Sequence, residues 1–320
     1  MGRSTPIHVG VIGLGVIGSR LLQEFRSHPE IRIQAVCDTS AFLAEQVAKE
    51  LNGIAWYTDY KKLIKDESID LVYVAVPPKF HHPIALAVLE AGKHILCEKP
   101  LANSLEEAID LAEAAQKAGV VHAINFGVFY GASFRELAQR VQEGYVGDVR
   151  RIELHTHFHQ WPREWQQTPW IGGREQGGFV REVFPHYIQM IQRLFGKLVN
   201  IQAQLEWPAD PEACETGIIG RMELEDGTPV LVNGLSNIGM KEHISFTIYG
   251  TKGTCSLVNW RTLKCAPFGE SLEEAATTAA IIPDTIVTHL VRAIDGQEAD
   301  LIDFEEGLDI QKVLEQLLQS

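Results

Sequence analysis

The sequence predicts an α/β protein: a doubly wound parallel sheet at the N-terminus, then an α+β domain built on a large, open-faced, mostly antiparallel sheet. Over the first 125 residues, short and almost wholly apolar segments alternate with amphipathic ones, which is typical of parallel strands buried on both faces. After residue 126, longer segments alternate apolar and polar residues, as in strands with one open face. At 320 residues the chain is long enough for two domains, which we place at 1–125 and 126–320.

The N-terminal domain is predicted as strands and helices in alternation. The strand candidates are rich in β-branched residues: IHVGVIG, IRIQAVC, IDLVYVAV, KHILCEK and VVHAINF. Helices are predicted between them at 16–27, 40–51, 81–92 and 104–119. Two of these end at a glycine, the residue that commonly follows the last helical turn. This order implies right-handed crossovers.

The second domain begins with a predicted helix, SFRELAQRVQEG, and continues with alternating strands. Asp226-Gly227 and Lys252-Gly253 are typical of hairpin turns. Helices are also predicted at 176–195, 283–294 and 305–318, and only the segment EEAATTAA at 273–280 is compositionally biased.

Composition limits the partners and the compartment. The net charge of −14 opposes binding to nucleic acids and anionic membranes, and the absence of an apolar run of about 18 residues predicts no membrane span. The apolar stretch at 7–18 is interpreted as a strand and turn, not a signal peptide. Five scattered cysteines without a C-x-x-C pair favour reduced thiols in a cytoplasmic protein.

GLGVIG places Gly13, Gly15 and Gly18 in the G-x-G-x-x-G spacing, directly after the first strand and at the start of a helix. In such a turn the first glycine makes the bend, the second lets a pyrophosphate approach, and the third lets helix and strand pack closely. The phosphates then meet the free N–H groups of the helix N-terminus. We therefore expect this turn, with Val16 and Ile17, to bind a dinucleotide.

Asp38 ends the second strand, 20 residues after Gly18, where a carboxylate would bind the adenosine ribose hydroxyls. It would repel a 2′-phosphate, and no arginine follows at once, so NAD is favoured over NADP. The alternative is a structural glycine turn with Asp38 on the surface.

ILCEKP sets Glu98 and Lys99 at the end of an apolar strand. In an open α/β sheet the ligand crevice lies beyond the carboxyl ends of the strands, so charge there need not be buried. A fixed ammonium at Lys99 could polarise a carbonyl or stabilise an alkoxide. A Schiff-base lysine and a simple surface ion pair are the alternatives.

The chain resembles the Gfo/Idh/MocA oxidoreductases in GLGVIG, AVPPKFHHPIALAVLEAGKHILCEKPLA, GGFVREVFPH and DFEEGLDIQKVLEQLLQS. The resemblance implies a Rossmann domain and a lysine, here Lys99, that touches both the nicotinamide ribose and the substrate. It also implies that the loop beside the cofactor, together with Glu98, contributes the remaining cofactor-binding residues: Val76, Pro77, Pro78 and His81.

Glu182 and His186 are four residues apart on the predicted helix and so share a face. A carboxylate on one imidazole nitrogen sets the tautomer and makes the other nitrogen a better base. The family pattern is usually an aspartate followed four residues later by an acid/base histidine, so the resemblance implies those roles for Glu182 and His186. Glutamate replaces the aspartate, and Pro185 disturbs helical geometry. The alternative is that His186 only caps or packs.

Two other groups are candidates for binding. Trp161, Arg163 and Trp170 suit a sugar ring, although tryptophans also fill cores. The histidines at 155, 157 and 159 alternate along a predicted strand and so share a face. We expect no carboxylate or cysteine near them and therefore no metal.

We therefore expect an NAD-dependent dehydrogenase that acts on a secondary alcohol of a sugar, cyclitol or related polyol, in which His186 removes the hydroxyl proton and Lys99 orients the oxygen. The two groups are expected to converge beside the nicotinamide. Two alternatives are an epimerase or hydrolase that uses bound NAD for transient oxidation, and a non-catalytic NAD sensor. The resemblance also implies a homodimer or homotetramer.

Overall fold

The computed structural model describes residues 5–166, 168–276 and 285–319. These residues form two compact units. One unit takes in the chain as far as Phe126 and a later part that ends at Gln311. The other begins at Gly127 and includes the chain from Lys312 onward. The first part of the predicted helix at 283–294 and the second half of EEAATTAA lie outside the described residues.

The first unit is built on a six-stranded parallel sheet with the order β3-β2-β1-β4-β5-β6. Its strands are β1 (Ile7–Ile12), β2 (Ile31–Cys37), β3 (Ala55–Tyr57), β4 (Leu71–Val74), β5 (His94–Glu98) and β6 (His122–Asn125). β4 is buried at all four positions and β5 at four of five, as expected where both faces are covered. The predicted doubly wound fold is confirmed.

The helices between these strands are α1 (Val16–Ser27), α2 (Ala41–Glu50), α3 (Tyr60–Ile64), α4 (His81–Glu90) and α5 (Leu105–Ala118). The Ser40 and Ser104 side chains accept hydrogen bonds from backbone N–H groups in the first turns of α2 and α5, and so satisfy donors that the helix leaves free. Gly119 ends α5 in the left-handed conformation (φ 65°). The sequence did not predict β3 and α3, which have only three and five residues and so show too little periodicity.

The part of the chain between α8 (Ile286–Ile294) and the middle of α9 (Phe304–Gln319) belongs to the first unit. We had placed it in the second domain. Its backbone returns to β6: Ile124 N–H donates to Ile302 O (2.8 Å), and Phe304 N–H donates to His122 Nδ1 (3.2 Å). The Phe304 ring packs edge-on against His122 (5.2 Å). These contacts cover the edge strand, whose unpaired backbone groups would otherwise be exposed.

The second unit contains an eight-stranded sheet with the order β14-β13-β12-β11-β7-β10-β9-β8. The strands are β7 (Val149–Phe158), β8 (Leu198–Glu206), β9 (Gly217–Leu224), β10 (Pro229–Ser236), β11 (His243–Gly250), β12 (Gly253–Val258), β13 (Thr262–Pro267) and β14 (Glu273–Glu274). β7 and β10 run parallel, and the other neighbours are antiparallel. Burial alternates along β7, which confirms the open-faced sheet. Both predicted hairpin turns are present, between β9 and β10 and between β11 and β12.

Two helices of this unit are α6 (Ala132–Gln142) and α7 (Phe179–Phe195). α7 runs through Pro185 without a break. The proline removes one backbone hydrogen bond, but buried residues on both sides of it pack into the core. α7 has eleven buried residues among its seventeen, so it is an interior element. Within the described ranges, no helix is both long and apolar enough to span a bilayer.

Candidate functional site

The three glycines of the turn after β1 differ in what a side chain would meet at each position. Gly13 has φ +93°, and a Cβ there would collide with the Ala75 carbonyl. A Cβ on Gly18 would collide with the Gly13 carbonyl. Gly15 has ordinary backbone angles (φ −64°) and nothing within 4 Å of the space its Cβ would fill. The packing of the protein therefore accounts for Gly13 and Gly18 but not for Gly15, where the motif predicts the close approach of a pyrophosphate.

Helix α1 presents a free N-terminus beside that open space. Among the described residues no side chain caps it, and its first turn carries no acidic residue, so its N–H groups and dipole are available to an anion. Val16 and Ile17 in the same turn are 54% and 38% exposed. A bound dinucleotide would cover these apolar side chains.

Asp38 follows β2 at the same edge of the sheet and is tied to the glycine turn. Its Oδ2 accepts a hydrogen bond from Leu14 N–H (2.9 Å), and its Oδ1 accepts one from Ser40 N–H (2.9 Å). The side chain is only partly buried, so each oxygen keeps a lone pair for a further donor. This arrangement fits the predicted contact with ribose hydroxyls.

His81 connects the chain segments that follow β4 and β5. Its ring is 1% exposed; Nδ1 lies 2.8 Å from Pro100 O and Nε2 lies 2.8 Å from Val76 O. We predicted cofactor binding for this residue and for Val76, Pro77 and Pro78. Both ring nitrogens lie against backbone carbonyls, so the imidazole holds the two segments together and positions the loop.

Glu98 is the last residue of β5 and is buried, with 8% exposure. Its Oε1 accepts hydrogen bonds from Tyr73 OH (2.5 Å) and Asn125 Nδ2 (2.6 Å). Burial raises the pKa of the Glu98 carboxyl, although these two donors and Lys99 oppose the shift. Burial and then the neighbouring carboxylate raise the pKa of Tyr73 well above its usual value. The network fixes the end of β5, from which Lys99 emerges half-buried before a cis peptide to Pro100.

These residues of the first unit share one edge. Because β1, β2, β4, β5 and β6 are parallel, their carboxyl ends bring together the glycine turn, Asp38, the Val76 loop, Glu98 and Lys99. The open space at Gly15, the uncapped helix and the Asp38 carboxylate all fit NAD.

In the second unit, Glu182 and His186 lie one turn apart on the continuous helix α7, and both are partly buried. The His186 ring meets the Trp260 ring edge-on (5.4 Å), and Trp260 stacks on Tyr187 (4.8 Å). The aromatic contact restricts the orientation of the imidazole. The shared face that we predicted for the pair therefore survives Pro185.

Glu215 is a residue of this region that the sequence analysis missed. Its carboxylate caps the N-terminus of α7: Oε1 accepts a hydrogen bond from Val180 N–H (2.7 Å). The preceding Gly178 has φ +95°, and a Cβ there would collide with the carboxylate. Burial raises the pKa of Glu215 to about 7, against the opposing effect of the backbone donors. The glycine pair before α7 was the available signal, but nothing local in the sequence connects it to residue 215.

The predicted substrate residues differ in their surroundings. Trp161 is 8% exposed and packs against Phe158 and Phe179 (5.0 and 6.0 Å), as a core residue does. Arg163 makes two hydrogen bonds with the Glu242 carboxylate (2.9 and 3.1 Å), so its charge is balanced within the unit. Trp170 is partly exposed.

An open groove of about 530 Å³ lies beside these residues, within the second unit. Gln160, Arg163, Gly172 and Glu212 are among its lining residues. It offers amide, guanidinium and carboxylate groups that suit hydroxylated ligands.

The three histidines are not a ligand cluster. His155 and His157 lie on the same face of β7 with ring centroids 5.9 Å apart, and His159 follows the end of the strand. Our expectation that no carboxylate lies near them is wrong, since His155 Nε2 lies 3.4 Å from Glu153 Oε2, two residues earlier on the same strand. Burial lowers the pKa of His157. Over the part of the chain that is described, no group of three or more histidine, cysteine or acidic side chains is arranged to hold a metal ion.

The chain is similar in sequence or fold to several known proteins. It is 29% identical over 196 residues to 2,7-anhydro-N-acetylneuraminate hydratase of Escherichia coli (strain K12), covering 60% of this chain but only 50% of that protein. It is 26% identical over 245 residues to inositol 2-dehydrogenase of Corynebacterium glutamicum, covering 74% of this chain and 69% of that protein. Levoglucosan dehydrogenase, solved in complex with NADH and L-sorbose, shares the fold at a TM-score of 0.84 and 22% identity, over 99% of this chain and 96% of that one.

Family models match both parts of the chain. The model described as an oxidoreductase family with an NAD-binding Rossmann fold matches residues 7–126. The Gfo/Idh/MocA C-terminal domain model matches residues 134–256. The two matches cover well over half of the sequence, and they agree with the resemblance seen in its motifs. This chain therefore belongs to the Gfo/Idh/MocA family of NAD-binding oxidoreductases.

Proposed function

We propose that this protein is an NAD-dependent dehydrogenase that oxidises a secondary alcohol of a sugar, cyclitol or related polyol, or reduces the corresponding ketone. The observation that carries the proposal is the open space at Gly15, beside an uncapped helix and the Asp38 carboxylate, in a member of an oxidoreductase family. Two relatives support the substrate class, since their names are inositol 2-dehydrogenase and levoglucosan dehydrogenase.

The first unit would bind the cofactor through Gly13, Gly15, Gly18, Asp38 and the N–H groups of α1. NAD supplies the acceptor or donor of the hydride. The Glu98 network holds the end of β5, so that Lys99 presents its ammonium in a fixed orientation. That ammonium orients the reacting oxygen of the substrate and stabilises negative charge on it.

The second unit would supply the base. His186 takes the hydroxyl proton of the substrate through one imidazole nitrogen during oxidation and returns it during reduction. Glu182, one turn earlier, favours the protonated imidazole and so strengthens the base. Contact with Trp260 restricts the ring, and the Glu215 cap holds the start of the helix that carries both residues.

A preference for NAD over NADP follows from Asp38 in the same proposal. A ribose 2′-phosphate would meet a carboxylate that is already held in place by the Leu14 and Ser40 N–H groups. The two negative charges would repel each other. We also propose substrate contacts from Arg163, which lines the groove, and from Trp170, with the buried Trp161 supporting them from the core. A cytoplasmic location and self-association as a homodimer or homotetramer belong to the same proposal. Light scattering after size exclusion measures the last of these.

A second candidate is a reaction in which bound NAD is reduced and reoxidised within one turnover. It is favoured by one relative, which is named as a hydratase. Such an enzyme would return its NAD unchanged and show no net reduction.

The experiment is a panel of polyols, cyclitols and anhydrosugars with the purified protein and NAD, followed by absorbance at 340 nm and by chromatography of the products. Accumulation of NADH with a ketone product supports the dehydrogenase. Conversion of substrate without NADH supports the hydratase-like alternative. A protein that binds NAD but converts nothing across the panel contradicts both.

A further inference from the structure

Cys255 and Cys265 form a pair of thiols on neighbouring strands of the second unit. They lie directly opposite each other in β12 and β13, and their sulfur atoms are 2.9 Å apart. Both are free thiols. No sequence motif marks this pair, because the two cysteines are ten residues apart; only the hairpin register brings the two side chains together.

The backbone is already suited to a bond between them. Residues directly opposite in an antiparallel pair have Cα atoms about 4.5–5.5 Å apart, within the range of about 4.4–6.8 Å that disulfides use. The sulfurs need to approach by somewhat less than 1 Å to reach the bonded distance of about 2.05 Å. Oxidation therefore requires a change in side-chain torsions and no rearrangement of the sheet.

The surroundings make the two thiols unequal. Cys265 is 8% exposed and Cys255 is fully buried, so a small oxidant meets Cys265 first. A hydrogen bond from the Cys255 thiol, assisted by the nearby Arg140 guanidinium, lowers the pKa of Cys265 despite its burial. Arg140 is itself held by Glu136 (2.9 Å) on α6. A thiolate beside a fixed cation is the form that reacts with peroxides.

The other three cysteines lack these features. Burial raises the pKa of Cys37 to about 12 and that of Cys214 to about 12, and it also raises the pKa of Cys97. They are therefore internal controls for a selective reaction.

We propose that Cys255 and Cys265 are a reversible redox site that hydrogen peroxide converts into a cross-strand disulfide. The Cys265 thiolate attacks one peroxide oxygen; an S–O bond forms, the O–O bond breaks, and hydroxide leaves and is protonated to water. The Cys255 thiol then attacks the resulting sulfenic sulfur; the S–S bond forms, the S–O bond breaks, and a second water leaves with the thiol proton. Two thiols are oxidised and one peroxide is reduced to two waters, and a dithiol reductant reverses the result.

The test treats the full-length protein with a few equivalents of hydrogen peroxide, quenches it, unfolds it and alkylates the remaining thiols. Two of the five cysteines are expected to escape alkylation, the intact mass of a sample taken before alkylation is expected to fall by two hydrogens, and dithiothreitol is expected to restore both. Tryptic mapping of the wild type should show the peptides of residues 255 and 265 linked, so the result does not depend on a variant that folds.

Variants assign the roles. Cys265→Ser is expected to abolish the mass loss, while the control Cys97→Ser keeps it. Cys255→Ser is expected to leave a sulfenic acid on Cys265 that dimedone traps. Five alkylated thiols after peroxide, a link between other cysteines, or the same mass loss in Cys265→Ser would overturn the proposal.

Discussion

Glu215 offers a sharp test of how the second unit holds helix α7, through the substitution Glu215→Gln. Its carboxyl is 2% exposed and accepts the Val180 N–H at 2.7 Å. Glutamine keeps the length of the side chain and an oxygen acceptor, but it cannot ionise. The substitution therefore isolates the cost of a buried charge from the benefit of the helix cap.

The magnitude follows from the pKa. Burial raises the pKa of Glu215 from 4.5 to about 7, so the folded state holds the proton more tightly than the unfolded state. The stabilising effect of that proton is complete below the unfolded pKa and is lost as the pH rises through the folded pKa. Each pKa unit corresponds to about 1.4 kcal/mol, so wild type should lose about 3 kcal/mol relative to Glu215→Gln between about pH 4 and pH 8.

The assay is urea unfolding of both proteins at intervals across that range, with the difference between their free energies of unfolding plotted against pH. The contributions of the other titrating groups to the free energy of unfolding cancel in this difference. The variant should gain on the wild type as the pH rises, with most of the change below pH 7. A flat difference would mean that folding does not shift the pKa of Glu215, and a variant that loses ground as the pH rises would mean that the cap favours the charged carboxylate. Either result would refute the reasoning.

Three further predictions concern the first unit. Gly15→Ala should weaken NAD binding at least tenfold by calorimetry while changing the free energy of unfolding by less than about 1 kcal/mol, because its Cβ meets no protein atom; an unchanged Kd would contradict the ligand role. Gly13→Ala should destabilise the protein by about 2 kcal/mol or more, because the left-handed backbone and the Ala75 carbonyl both oppose a side chain; urea unfolding without a shift would contradict it. Tyr73→Phe should cost about 1–3 kcal/mol, since it removes a donor from the buried Glu98; a neutral effect would show that water or Asn125 replaces the hydroxyl.

The sequence was sufficient for the features that are encoded locally. The glycine spacing, the acidic residue after β2 and the apolar strands each carry their signal within a few residues. The predicted fold and the NAD-binding Rossmann domain are confirmed, while the roles of the individual glycines and of Asp38 stay predictions. Helices α1 and α7 end at the predicted residues, since their boundaries are marked by a polar C-terminal turn and by a glycine.

Contacts between distant residues could not be predicted in the same way. Tyr73 meets Glu98 across 25 residues, and Glu215 meets Val180 across 35, and no periodicity links such pairs. The return of Ile302 to β6 depends on backbone hydrogen bonds that any residue could make. Arg163 is a further case, since its pairing with Glu242 spans 79 residues and is visible only in the structure.

The most direct test of the proposed chemistry is kcat for NAD reduction at saturating NAD and substrate in Lys99→Met and His186→Ala. Loss of a general base or of charge stabilisation typically costs about 10²–10⁴-fold, so both variants should fall at least about 100-fold. The control variant is Lys49→Met, which removes a lysine whose side chain is 71% exposed. It should keep kcat at the wild-type value. Near-normal kcat in both site variants would contradict the account.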